Sequence, residues 1–584
     1  MPSAVSPSEQ KMTRLQGLAL PNCGFGPDPS EFFQTSGHVA FSLKMQSFSF
    51  GVGGTLDFDS WHNLFNLSKW GDAGLERLAL KLTGNGAFEI KLWQTRWGRS
   101  RELIYSEVHK LPSDSVLDLS LITEKEGLLY VSLTGTSDCG ALQNLEWMTG
   151  SAPRNQVKLA LVTPTFHRED RLTRALSRIA DSCPELDQVV VVDHGGTIGG
   201  LEGVTLLTGP NLGGSGGFAR GAIHAKKHGA THCLFMDDDA DVLPEAIHRT
   251  YAFLSFARDP KTAVAGAMIA QENQAQIWEN GAQFHQFCQP LFGQVDLANK
   301  TSVVEMERYS QDGKGLYGGW WFFAFPLAGL KHLPFPFFLR GDDVSFSLSN
   351  QFSIARLNGV AAYQAGFTAK ETPRSWYFDL RSHMLHHLCL PDKRIPALAT
   401  LKIALFFWGQ CVLRMHYDSA NAVLAALEDV LKGPSFFARN ANVHKRLNMV
   451  DQQSRDEIWQ HASNAFLSPA NPGRSYWYLL GNGLFLPGFG RFGRHRHIKA
   501  SDRRNLSLFL GASRITVLHE SRSEVYQVHH SKRRAFLLGL RFVWFSLRFL
   551  VQLQTLRKAY QQSYASLTSE AFWAAQFDHI HPAR

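Results

Sequence analysis

The stretch Cys233-Leu234-Phe235-Met236-Asp237-Asp238-Asp239 is four apolar residues running straight into three carboxylates. In an extended chain successive side chains point to opposite sides, so Asp237 and Asp239 share one side, where two hard oxygen donors can hold Mg2+ or Mn2+. The same triplet also reads as a solvated turn after a buried strand, and its surroundings decide between the two. Three further apolar runs precede it, Val157 to Val162, Val189 to Asp193 and Val204 to Leu207. Helix-length intervals separate them, the pattern of a mostly parallel α/β sheet. Ligands of such sheets gather at the carboxyl ends of the strands.

The loops at those ends carry polar and glycine-rich sequence. Thr163-Pro164-Thr165-Phe166-His167-Arg168 follows the first run, and Asp193-His194-Gly195-Gly196 the second. A base and ribose held there need an acceptor carboxylate and backbone donors free of side-chain bulk, which Asp193 and its glycines offer. Next comes Asn211-Leu212-Gly213-Gly214-Ser215-Gly216-Gly217, whose glycines let the backbone approach a ligand before a helix begins. No Gly-Lys-Ser/Thr follows, so this is not a Walker A loop.

At 584 residues, 44% hydrophobic and 12% aromatic, the chain has material for about three or four folded domains. Residues from about 37 to 146 alternate apolar and polar positions between turns, as in Phe88, Ile90 and Leu92 against Glu89 and Lys91, or Leu117, Leu119 and Leu121 against Asp118 and Ser120. This predicts a β-sandwich over residues 1–150, jelly-roll-like. Its Trp61, Trp70, Trp93 and Trp97 are core residues first and sugar-stacking platforms second. Gly150 to Asn155 reads as a linker, the α/β region as residues 151–395, and a mainly helical region as 396–584, with helices at Ala397 to Tyr417 and Asn421 to Leu431.

Seven scattered cysteines, Cys23 among them, contain no CxxC pair, which argues against a disulfide framework or a structural zinc site and for a reducing compartment. No apolar block resembling a secretory signal opens the chain, so the expected location is cytoplasmic. A net charge of +8 favours acidic partners. Arg534, Arg541 and Arg548 recur at seven-residue spacing beside an aliphatic and aromatic stripe. That helix either lies flat on an anionic membrane, as a peripheral contact at the inner membrane, or closes the last domain. The run Ala397 to Val412 is broken by Lys402, too short to span a bilayer and expected to be buried. No nucleic-acid motif is present.

Taken in order, Thr-Pro-Thr-Phe-His-Arg, Val-Val-Val-Val-Asp-His-Gly-Gly, the Asn211 to Gly221 loop and Phe-Met-Asp-Asp-Asp resemble the N-terminal half of inverting family 2 glycosyltransferases, whose fold is called GT-A. The resemblance runs from Val157 to about His387. It implies a nucleotide-sugar donor, with Thr165, Arg168 and Asp193 near the uridine, Asn211, Gly213, Gly214 and Asp238 in the nucleotide cradle, and Asp237 and Asp239 on Mn2+ or Mg2+. A narrower resemblance rests on Gly318-Gly319-Trp320-Trp321-Phe322, on Pro334 through Asp343, on Trp376 through Arg381, and on Gly54 through Trp61. These are similar to bacterial galactofuranosyltransferases that build cell-envelope galactan, which implies UDP-galactofuranose as donor and a lipid-linked or growing glycan as acceptor.

In that family the second Asp after the Trp-Trp motif is the catalytic base, here Asp343, with Asp342 binding an acceptor hydroxyl or orienting its neighbour. Inverting transfer needs one carboxylate to take the acceptor proton while the diphosphate leaves from the opposite face. Trp320 and Trp321 line the acceptor groove in this reading, and strand alternation turns only one, Trp321, to the site. One departure stands out: the family's metal-ligating His is matched by Gln364, within Ala362 to Phe367. Gln offers an oxygen in place of imidazole, and His383, His386 and His387 are alternative third ligands. Two other readings stay open: the same machinery with a rhamnosyl or hexopyranosyl donor, and a weakly active glycan-binding homologue. Homo-oligomerisation is also compatible with the sequence.

Overall fold

The computed structural model describes residues 12–21, 28–73, 75, 77–111, 114–119, 126–180, 182–308, 315–366, 371–461, 494–509, 511–519 and 524–578. Cys23, Ser120, Leu121 and Phe367 lie outside these residues. The other six cysteines are free.

The alternating N-terminal segment forms antiparallel strands that share the long strand Leu78–Thr95. Its first half pairs with Gly140–Thr149, and its second with Leu128–Gly135 and Glu102–Leu111. Phe88, Ile90 and Leu92 are buried, as their period of two predicts. Trp61 and Trp70 are core residues. Trp93 is stacked on Tyr130 and covered by the Arg101 guanidinium at 4.7 Å, and Arg308 lies over Trp97 at 4.8 Å. Protein groups therefore cover the Trp93 ring, while Trp97 keeps 41% of its surface exposed beside Arg308.

This module is fused to the α/β part by one continuous apolar core, in which Trp70 meets Phe253 edge-on at 5.4 Å. The same junction buries a charge pair, Lys69 with Glu307. Glu307 also accepts from Trp61 Nε1 at 2.8 Å and Asn66 Nδ2 at 3.2 Å. Glu307→Ala leaves an ammonium and two further donors buried without an acceptor, so we expect a loss of about 3–5 kcal/mol in urea unfolding. A loss below about 1 kcal/mol would mean that water replaces the carboxylate.

The central sheet contains β1 (Leu159–Thr165), β2 (Leu186–Asp193), β3 (Thr205–Thr208), β4 (His232–Phe235), β5 (Thr262–Ala265), β6 (Phe323–Pro326) and β7 (Ser353–Ala355). Their order is β3-β2-β1-β4-β6-β5-β7. The first four run parallel and β6 runs antiparallel to both neighbours. A second sheet joins Asp241–Val242, Ala361–Gln364, Ala267–Ala270 and Asn273–Glu279. Helix α1 (Gly213–Lys227) lies against β1, and α2 (Asp342–Asn350) follows the segment after β6.

Beyond the sheet, α3 (Pro373–Cys389), α4 (Ala397–Leu413), α5 (Tyr417–Leu431) and α6 (Lys532–Leu567) share one apolar core, which also holds Phe335, Phe337 and Phe338 from the segment before α2. The expected helix through Tyr417 is divided, because Met415 adopts a left-handed backbone (φ 61°) that ends α4 and lets α5 begin at Tyr417. The expectation that the 397–412 run is wholly buried is also corrected: Leu398, Leu405 and Phe406 are exposed. The helical expectation missed a four-stranded sheet made of Gln460–His461, Arg494–Lys499, Ala512–Leu518 and Glu524–His529. Helix α7 (Glu570–Asp578) returns to the α/β part, where Trp573 packs beside Leu212 and Ala219 and donates to the Pro334 carbonyl at 2.9 Å.

Candidate active site

Parallel pairing brings the predicted polar ends to one edge. Thr165 lies in register with Asp193, and Asp193 with Thr208; β4, on the other flank of β1, runs on into Asp237–Asp239. Asp238 accepts from Thr165 Oγ1 and from Arg168 Nη1, both at 2.8 Å, and Arg168 reaches Asp239 at 3.4 Å. The middle carboxylate thus fastens the Thr165–Arg168 loop to the triplet. Burial pushes its pKa up, against the pull of Arg168 and Thr165.

Asp193 is fully buried and accepts from the backbone N–H groups of Gly195, Thr197 and Ile198 at 2.8 to 2.9 Å. Where the sequence promised a carboxylate offered to a ribose, the side chain instead shapes its own loop, because three amides converge on it. Asn211 Oδ1 likewise accepts from Gly213 N–H at 2.9 Å and sets the entry to α1.

The segment leading to Asp342 and Asp343 is strained. Phe338, Arg340 and Gly341 all have left-handed backbones (φ 73°, 61° and 87°) within four residues. Each non-glycine conformer of this kind costs about 1–3 kcal/mol and persists only where its surroundings enforce it. Helix α3 enforces it here. Arg340 Nη1 donates to both carboxylate oxygens of Asp379, at 2.7 and 2.6 Å. The fully buried Arg381 guanidinium donates to the Phe337 carbonyl and to Tyr377 Oη, and lies over the rings of Tyr377 and Phe378. From the other side, the Ser215 N–H donates to the Phe338 carbonyl at 3.3 Å.

This elbow places the paired carboxylates at the first turn of α2, facing the first turn of α1. Ser215 Oγ donates to Asp342 Oδ2 at 2.8 Å, and Val344 N–H donates to Asp343 Oδ1 at 2.8 Å. Both carboxyl groups are raised well above the ordinary range, by burial first and, for Asp342, by the neighbouring Asp343. The two acidic clusters flank one structural unit: Pro164 packs beside Gly217 in α1, Thr165 holds Asp238, and Ser215 holds Asp342.

Trp320 and Trp321 lie in the turn between the strands Leu316–Tyr317 and Phe323–Pro326, so strand alternation does not set their directions; both are buried, in separate apolar clusters. Trp320 sits among Phe218, Phe235 and Phe346, and Trp321 donates from Nε1 to the Gly266 carbonyl at 3.0 Å. Of the alternative third ligands, His383 and His387 are engaged by backbone groups at both ring nitrogens. His386 is buried between Phe284 and Phe337, beside Gly341. Both ring nitrogens of His386, like Oε1 of Gln364, are buried with no hydrogen-bond partner, and Gln364 differs from it in its place beside the Asp triplet. Its strand pairs Tyr363 with Asp241, which puts Gln364 alongside the turn just after Asp239.

Two site features escaped sequence reading. Glu279 is 3% exposed with an unpaired Oε1, and burial together with Asp343 pushes its pKa well up. The Arg340–Asp379 clamp joins residues on separate elements. Trp278-Glu279-Asn280-Gly281 looks like any strand end until the fold brings it near Asp343.

No protein-family model matches the chain. It is 24% identical over 483 residues to galactofuranosyltransferase GlfT2 of Mycobacterium tuberculosis, covering 73% of this chain and 74% of that one. It is 23% identical over 473 residues to GlfT2 of Mycolicibacterium smegmatis, covering 72% and 71%. Among solved structures, the mannosyltransferase PcManGT from Pyrobaculum calidifontis, in complex with GDP-Man and Mn2+, is 15% identical with a TM-score of 0.28, covering 52% of this chain and 85% of that one. These solved-structure likenesses are too remote to bear on the site. With a likeness running through nearly three quarters of both chains in the two mycobacterial enzymes, the protein is a glycosyltransferase.

Proposed function

We propose that this enzyme is an inverting GT-A transferase of family 2 that moves a galactofuranosyl unit from UDP-galactofuranose to a lipid-linked or growing cell-envelope glycan. The observation that carries this reading is the strained elbow that sets Asp342 and Asp343 against the first turn of α1, on the same sheet edge as Asp237–Asp239. Helix N-termini at that edge favour the negative charge of a diphosphate. Asp343 takes the proton of the acceptor hydroxyl at Oδ2, since its Oδ1 already accepts from Val344 N–H. Asp342, fixed by Ser215, orients that neighbour, and the Trp320–Trp321 segment forms a wall of the acceptor side. The N-terminal module is read as a β-sandwich, residues 396–584 as a helical domain, and the location as the cytoplasm, where nucleotide sugars are made.

The residues present fit a divalent ion. Asp237 and Asp239 would hold Mn2+ or Mg2+, and the unpaired Oε1 of Gln364 supplies a third oxygen in place of the family's imidazole. When bound, the ion would offset the charge of the departing diphosphate. Gln364→Leu is expected to weaken Mn2+ binding in the presence of UDP roughly tenfold by calorimetric titration, and Gln364→His to strengthen Mn2+ relative to Mg2+. Unchanged affinities in both variants would remove Gln364 from the site.

The function is tested by incubating the purified chain with Mn2+ and UDP-galactofuranose, UDP-galactopyranose or a rhamnosyl nucleotide, and measuring transfer to a galactan acceptor. Transfer from the furanose donor is expected. Transfer from a pyranose or rhamnosyl donor alone would overturn the donor assignment.

A further inference from the structure

Helix α6 buries one stripe and leaves the opposite one bare. Leu538, Phe545, Phe549 and Leu553 are buried in the helical core. On the other side Phe536, Leu540, Val543, Trp544, Leu547 and Val551 are each more than half exposed, Val551 at 85%. Helix α4 widens this face with Leu398 and Phe406, and Trp408 stacks on Phe542 at 4.8 Å to hold the two helices together. Single exposed apolar residues are ordinary on a soluble protein, whereas a continuous apolar face of this extent marks a contact surface.

The charges choose the partner. Lys532–Leu567 contains no Asp or Glu, and neither does Ala397–Leu413. Arg533 is exposed at the leading end of the apolar face, Arg541 and Arg548 run along one flank, and exposed Lys558 follows where the face turns polar at Gln554 and Thr555. Long cationic side chains beside an apolar stripe suit the boundary between lipid tails and anionic headgroups. Length and composition would also let α6 cross a bilayer. Crossing, however, would pull Phe545, Phe549, Leu553 and Tyr560 out of the helical core.

We infer that the exposed faces of α6 and α4 form a platform that docks flat on an anionic lipid surface. This reading does not depend on which sugar is transferred. The test sediments the full chain with vesicles of phosphatidylcholine alone and of phosphatidylcholine containing phosphatidylglycerol. Binding to the anionic vesicles is expected, weakening as salt rises. Trp544→Glu with Leu547→Glu should lower that binding roughly tenfold or more, because charge replaces buried apolar area. Arg541→Ala with Arg548→Ala should lower it by roughly fivefold per arginine while leaving weak binding to neutral vesicles. Near-UV circular dichroism checks that the variants fold, and light scattering gives their mass in solution. Failure of the wild-type chain to bind anionic vesicles would overturn the proposal. So would a Glu variant that binds vesicles normally but loses a dimer or higher assembly, since the face would then be an interface between copies.

Discussion

Asp343→Asn is expected to reduce kcat/KM roughly 100- to 10,000-fold, the range for losing a positioned general base, while UDP binding changes little. The Arg340–Asp379 clamp and the Ser215–Phe338 contact hold the elbow through other groups, and an amide can keep the Val344 N–H contact. The pH profile adds a second readout. Burial raises the folded-state pKa of this pair, with Asp342 raised further by Asp343. A raised carboxyl keeps its proton to higher pH, so the active, ionised form is lost as pH falls through that raised value. The acid limb of kcat/KM therefore lies well above pH 4, and Asp343→Asn removes it with the activity. The same sign governs stability: the pair's contribution is fully present below the unfolded carboxyl pKa and is lost as pH rises through the folded one. Full activity in the Asn variant would exclude Asp343 as the base.

Gly213→Ala is expected to be nearly as damaging without touching a charged group. Gly213 has φ +64°, and a Cβ there would overlap the Phe338 carbonyl oxygen, which is backbone and cannot swing away. The substitution adds left-handed strain to a forced shift of the elbow, so we expect about 2–4 kcal/mol of destabilisation. A displacement of about 1 Å at the paired carboxylates should also cost roughly 100-fold in kcat. Gly229→Ala is the control: its φ is +89° but nothing lies within 4 Å of the added carbon, so only about 1 kcal/mol should be lost, with kcat unchanged. Equal losses of activity in the two variants would mean that contact between α1 and the elbow does not set the site.

Much of this was readable because it is local. Strand-end positions such as Thr165 and Asp237–Asp239 follow from apolar runs whose ends the sequence marks with polar residues, and the parallel sheet then gathers them without further information. Trp320 and Trp321 were less legible, because the turn that carries them does not follow a strand's period of two. What the sequence hid depends on contacts between distant segments. Asp193 reads as a ligand carboxylate until three amides of its own loop converge on it. Asp379 stands within the Trp376–Arg381 stretch with no sign of its partner until the fold brings Arg340 to it. Glu279 carries no signal at all before the fold brings it near Asp343. The sheet of Gln460–His461, Arg494–Lys499, Ala512–Leu518 and Glu524–His529 escapes sequence reading because its short strands show no sustained alternation among strong helical stretches.

The most direct measurement is a crystal structure of the full chain with UDP and Mn2+. The account predicts electron density for the ion between Asp237, Asp239 and Gln364, with the diphosphate at the first turn of α1 and its open side toward Asp343. Nucleotide bound elsewhere, or with Asp343 on the far side of α1 from the diphosphate, would contradict it.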